Sequence, residues 1–279
     1  MRARPIVVLL ALGLGACTAP ADPAPTAPSG PTYRDRVEVE AAVEAFLEGF
    51  AEGGEHPDEL LASVAGDRLR DWARWINRYR PEREAVRAGR VEIESLRVES
   101  IRGGVAVAVV DATVHQPARD EVGARRIVAR SFNGPVELRR EASGWRVVDI
   151  VRDGAPMSYA IGVFDEPAAV EEAGIRVEVS SVYRFRSGTV ATIRIENGTG
   201  MPIVLDRTHS LIQAAGRWVG ATEVAGDLDV PIPPGVAIEG SLAYHAIPIQ
   251  WLPEKVFVHF LEGPDPIEID LPRDGFLPI

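Results

Sequence analysis

From Val37 onward the apolar positions Val37, Val39, Val43, Phe46, Leu47 and Phe50 recur at mostly three- and four-residue steps, and Gly53-Gly54 stops the run. That spacing predicts an amphipathic helix ending at a glycine cap. A short helical stretch follows from Pro57 to Val64. Asp67 then opens a third helix, in which Leu69, Trp72, Ile76 and Tyr79 form one stripe and Arg70, Arg74 and Arg78 lie on another face, until Pro81 ends it.

At residue 90 the period changes to two. Strands are predicted at 90–100, 104–115, 125–140 and 144–152, separated by turns at Gly103-Gly104, Pro117 to Gly123 and Ser143-Gly144. Phe164 to Ala173 is acidic and alanine-rich and reads as a short helix or linker. Beyond it Val177, Val179, Tyr183 and Phe185 share one parity, followed by alternation at Ala191 to Ile195, Ile203 to Leu205, Leu242 to Tyr244, Val256 to Phe260 and Ile267 to Leu271. Six or seven short strands with regular turns predict an all-β sandwich. The expected organisation is an α+β unit over residues 33–153, a linker over 154–173 and a β-sandwich over 174–279. A length of 279 residues suits two such cores.

The first 32 residues fit neither pattern. Arg2 and Arg4 precede an apolar stretch from Pro5 to Ala16, the charged and greasy regions of a secretory signal too short to span a bilayer. Leu14-Gly15-Ala16-Cys17 follows and contains the only cysteine. This tetrapeptide resembles the lipobox of bacterial lipoproteins, which implies acylation of Cys17, removal of residues 1–16 and anchoring of the chain at a membrane. Two or three acyl chains, at about 0.8 kcal/mol per buried methylene, hold such an anchor stably. Residues 17–32 carry five prolines and no long apolar side chain, so they predict an extended tether of about 3.1 Å per residue. With no second cysteine, the exported body is expected to be held by its cores without disulfides.

Element order gives a second resemblance. Three helices followed by an antiparallel sheet that closes on Gly144-Trp145-Arg146-Val147-Val148-Asp149-Ile150 are similar to the nuclear transport factor 2-like cone. The resemblance implies a helix-and-sheet pocket and, since such cones are often dimeric, a homodimer through that unit. A third resemblance lies in IRIENGTGMPIVL, QAAGRWV, IPPGVAIEGSLAYHAIP and VFVHFLEG, in that order. It is to an immunoglobulin-like domain of surface lipoproteins of Gram-positive bacteria, and it implies no catalytic residues. Asn197 and Gly198 suit left-handed turn geometry there, and Pro234-Gly235 suits the centre of a type II turn.

Charge narrows the partners. A net charge of −11 repels phosphate polymers, so nucleic acid is not an expected partner. The arginine-rich stretch from Arg68 to Arg90 reads first as a solvated face, with anionic head groups or a cell-wall polymer as its alternative reading. No nucleophile elbow, phosphate loop or metal-binding motif is present, so neither a cofactor nor a metal is expected. His245 and His259 are placed to approach across neighbouring strands. On the second sheet strand Val105, Val107, Val109, Asp111, Thr113 and His115 share a face. That face would bring a carboxylate and an imidazole to the cone mouth beside Trp72, Trp75 and Tyr79.

The reading that results is a lipid-anchored, extracytoplasmic binding or interaction protein of the bacterial cell envelope, with an envelope protein or polymer as partner and no catalysis. Two alternatives stay open: a cone pocket that binds a small apolar molecule, with acid–base turnover by Asp111 or His115, and a structural spacer in an envelope complex.

Overall fold

Thr32 opens the first helix through a reciprocal cap. Its amide and hydroxyl donate to Asp35 Oδ2 at 3.0 and 2.7 Å, and the Asp35 amide donates back to Thr32 Oγ1 at 3.2 Å. This cap starts α1 (Tyr33–Glu52) four residues ahead of the first apolar position of the stripe. A computed structural model describes residues 32–52, 57–79, 89–119, 125–261 and 266–277. The leader, Cys17, the tether, the Gly53-Gly54 stop and Pro81 lie outside the described residues.

α2 (Pro57–Ser63) and α3 (Asp67–Tyr79) follow, then β1 (Arg90–Arg102), β2 (Val105–Arg119), β3 (Arg125–Glu141), β4 (Gly144–Arg152) and β5 (Ala155–Pro156). The five strands pair antiparallel in chain order. One face of this sheet packs on α1: Ala106, Ala108, Val110, Ala112 and Val114 of β2 and Phe132, Val136 and Leu138 of β3 are buried against Val43, Phe46, Leu47 and Phe50. Phe132 meets Phe46 and Phe50 edge-on, at ring-centroid distances of 6.0 and 5.2 Å. Helices packed on an antiparallel sheet make this half α+β, as predicted.

Residues 154–173 are not a linker. They form β5, the single turn α4 (Met157–Ala160) and β6 (Ile161–Glu172), which pairs antiparallel with β7 (Ile175–Phe185). β6 is an edge strand, so its acidic side chains face water while Ile161, Phe164 and Ala168 are buried. The rest is β8 (Gly188–Asn197), β9 (Leu205–Ala214), β10 (Arg217–Gly226), β11 (Ala237–Tyr244), β12 (Pro253–Phe260) and β13 (Ile267–Asp270). The expected sandwich of two separate sheets is corrected here. β10 pairs with β9 through residues 217–220 and with β11 through residues 221–226, which fuses the layers into one eight-stranded antiparallel sheet. Its order is β13-β12-β9-β10-β11-β8-β7-β6. The end strands β13 and β6 come alongside each other without pairing, so the sheet is nearly closed and barrel-like.

The turn after β8 also differs from expectation. Neither Asn197 nor Gly198 adopts a positive φ. Asn197 is instead buried and organises the turn through its side chain: Nδ2 donates to the Met201 and Ile232 carbonyls, both at 2.8 Å, and Oδ1 accepts from the Thr199 amide and hydroxyl. Gly235, at φ +72°, does supply the left-handed residue predicted for the Pro-Gly turn.

β7 links the two halves. Its pairing with β8 shifts register between Val179 and Ser181, and the bulge reverses the side-chain faces. Val177, Val179 and Val182 point into the rolled sheet, whereas Tyr183 and Phe185 pack into the α+β core. The single parity predicted for Val177 through Phe185 therefore breaks in mid-strand.

Phe132→Ala is expected to cost about 3–5 kcal/mol by emptying the space between Phe46, Phe50 and the sheet. Urea denaturation of both proteins checks this, and a loss under about 1 kcal/mol would mean that this ring is not central to the core.

Candidate functional site

The predicted face of β2 is the wrong one for a site inside the cone. Alanine and valine alternate there, and the even residues Ala106 to Val114 are buried against α1. Asp111, Thr113 and His115 thus stand on the outer face of the sheet, away from Trp72. Asp111 accepts a hydrogen bond from Asn133 Nδ2 at 3.3 Å, and His115 Nε2 lies 3.6 Å from Glu92 Oε2. Neither meets the helices, so this structure does not bring the expected carboxylate and imidazole to the cone mouth. Trp72 is fully buried and stacks on Phe50 at 5.6 Å. Trp75 is half-buried, with its ring 5.1 Å from that of Tyr183. Tyr79 ends α3, and its side chain lies outside the described residues.

What the fold does assemble, where the α+β half meets the rolled sheet, is a cleft of about 580 Å³. Phe50 of α1, Trp72, Trp75 and Ile76 of α3, Gln116 of β2, Arg130 of β3 and Arg152 of β4 form one side. Phe185 and Val190 of β7 and β8, Tyr244 of β11 and the Glu223 to Gly226 segment of β10 form the other. Gln116 is fixed by donating from Nε2 to the Phe50 carbonyl at 2.5 Å. Placing both tryptophans at the helix end was legible in the sequence. The polar members were not, although Arg152 shares the inward parity of Ile150 two residues earlier, and that signal pointed to it.

Arg152 is the unusual group. Only 8% of the residue is exposed, and its guanidinium lies between two aromatic rings, 4.3 Å from the Phe185 centroid and 5.1 Å from that of Phe50. Its Nε is 3.5 Å from Asp153 Oδ2, beyond a normal hydrogen bond. Burial, with a smaller push from the like charge of Arg130, lowers its pKa to about 10, so it remains a cation at neutral pH. Two other arginines, buried Arg184 and half-buried Arg68, donate instead to the backbone. Arg184 donates to the carbonyls of Tyr159, Ile249 and Trp251, and Arg68 to those of Ile161 and Gly275.

A second polar cluster lies at the start of β9. Asp206 Oδ1 accepts from the Thr208 amide and hydroxyl, and Oδ2 lies 2.6 Å from His209 Nδ1. The His209 and His259 rings are 6.0 Å apart. The expected approach of His245 to His259 fails because β11 and β12 are not neighbours. No group of three potential metal ligands occurs among the described residues, and no helix among them is long and apolar enough to cross a membrane.

The Thr208 hydroxyl, followed by His209, holds the Asp206 carboxyl down from 3.8 to about 2. A carboxylate depressed on folding contributes stability above its unfolded pKa and loses it as the pH falls through the folded value. Asp206→Asn is therefore expected to lower the thermal midpoint at neutral pH, with the gap to the parent closing between about pH 4 and pH 2. A gap independent of pH would assign the effect to shape rather than charge. No protein-family model, curated protein or solved structure matches the chain.

Proposed function

We propose that the chain is a lipid-anchored binding protein on the extracytoplasmic face of a bacterial cell membrane, acting without catalysis through the cleft at the cone mouth. In this reading Cys17 carries the lipid and residues 18–32 hold the body off the membrane. The α+β half is a nuclear transport factor 2-like cone. The rolled sheet is a fused form of the immunoglobulin-like domain, and the body pairs as a homodimer. The observation that carries it is the cleft itself, a concavity of about 580 Å³ walled by aromatic side chains with a few buried polar groups, the usual make-up of a small-ligand site. The lipobox and proline-rich tether support the location. The outward placement of Asp111 and His115 favours binding over acid–base turnover, and the cleft favours binding over a passive spacer.

Cys17→Ala is expected to move the protein from the membrane to the soluble extracytoplasmic fraction of its host, and its retention at the membrane would overturn the anchor. With that soluble variant, low-molecular-mass fractions of the host envelope are expected to produce a saturable change in tryptophan emission, because Trp72 and Trp75 line the cleft. Silence across all fractions would remove the cleft as a ligand site.

A further inference from the structure

Seven side-chain nitrogen and oxygen atoms among the described residues are buried without a hydrogen-bond partner. Four of them belong to residues that line this one cleft: Trp72 Nε1, Trp75 Nε1, Arg152 Nε and Tyr244 Oη. They come from three elements, α3, β4 and β11, around one concavity. All four are donors. The two indoles and the guanidinium carry N–H groups with no accepting capacity, and burial raises the Tyr244 pKa, so its hydroxyl keeps its proton to donate.

Arg152 adds a net charge to this donor set. Arg184 shares an unpartnered Nε but donates through its terminal nitrogens to three carbonyls, and Arg68 donates to two, whereas Arg152 has an ion pair to Asp153 at 3.5 Å and Arg130 near it as a second cation. The carboxylates of the cleft, Glu223 and Asp229, belong to exposed positions on β10 and the turn after it, and neither forms an ion pair with Arg152. Phe50, Ile76, Phe185 and Val190 supply an apolar part of the wall, beside polar members such as Gln116, Thr189 and Ser241.

We propose that the cleft binds an amphipathic anion, a molecule whose acidic head group pairs with the Arg152 guanidinium while its apolar or aromatic tail lies along the ring-lined wall. This rests on the reading of the cleft as a ligand site and names the chemistry of what it takes. The head group supplies a closer acceptor than Asp153, whose Oδ2 lies 3.5 Å from Arg152 Nε. A guanidinium offers the same paired N–H geometry to a carboxylate and to a phosphate monoester, so both head groups fit. The stacked position between Phe50 and Phe185 holds the guanidinium plane before the ligand arrives.

Decanoate, decyl phosphate and decanol, titrated into the soluble Cys17→Ala protein and followed by tryptophan emission and calorimetry, separate the terms. At least one anion is expected to bind about tenfold or more tightly than the alcohol of equal chain length. Preference for decanoate marks a carboxylate ligand, and preference for decyl phosphate marks a phosphate ligand. In Arg152→Met the anions and the alcohol are expected to bind alike. Arg152→Lys, which keeps the charge and loses the fork, is expected to fall between. Equal affinity of anion and alcohol for the unsubstituted cleft overturns the proposal, and that comparison stands even if Arg152→Met does not fold. Survival of the anion preference in a folded Arg152→Met protein also overturns it. If none of the three probes binds while envelope fractions still change the emission, the anion assignment fails and the ligand site remains. If neither binds, both fall.

Discussion

The register shift between Val179 and Ser181 is the constraint on which the rest of the molecule depends. A regular strand serves one core, since its inward residues all point to the same side. With one extra residue at the bulge, β7 serves two: its first half faces the rolled sheet and its second half lays Tyr183 and Phe185 against the α+β half. The Tyr183 hydroxyl donates to Asp71 of α3 at 2.6 Å, fixing the seam from the helix side. Without the reversal these two rings would point into the rolled sheet, and the cleft would lose the Phe185 part of its wall.

Buried arginines mark the two ways this seam treats charge. Taking a guanidinium out of water costs several kcal/mol unless acceptors replace the solvent. Arg184 and Arg68 recover that cost from backbone carbonyls at chain ends and turns, so they act as clips: Arg184 ties the end of β7 to the segments around Tyr159 and Ile249, and Arg68 ties α3 to β6 and to the turn near Gly275. Arg152 recovers it only in part, through ring faces on either side and a distant carboxylate. Removing either clip would leave backbone carbonyls unpaired, whereas removing Arg152 would leave the Asp153 carboxylate without this cation.

The elements of the α+β half were legible because their spacing is dictated by local geometry, and the capping residues fall where the helix start requires them. Faces were harder. In β2 the first residues of both parities are apolar, Val105, Val107 and Val109 on one and Ala106, Ala108 and Val110 on the other, but only the second stays apolar through Ala112 and Val114, and it is the buried one. The face with Asp111, Thr113 and His115 stands outside. β6 was missed for a related reason: an edge strand buries only one side and bears acidic residues on the other, so its sequence reads as a solvated connection. The fusion of the two sheets through β10 was not legible because β10 does not alternate: none of its ten residues is fully buried, so RWVGATEVAG shows no inward face from which a strand could be read.

The cleft was the least legible feature, and the cause is its construction. Its residues come from α1, α3, β2, β3, β4, β7, β8, β10 and β11, each contributing one to a few side chains, so no contiguous stretch carries a motif. An arginine at the end of a strand reads as solvated until the bulge 30 residues later is known to bring Phe185 against it. The same construction seats several of its walls in packed cores. Phe50 and Trp72 belong to the α+β core, Tyr244 to the core of the rolled sheet, and Phe185 to the strand that joins them.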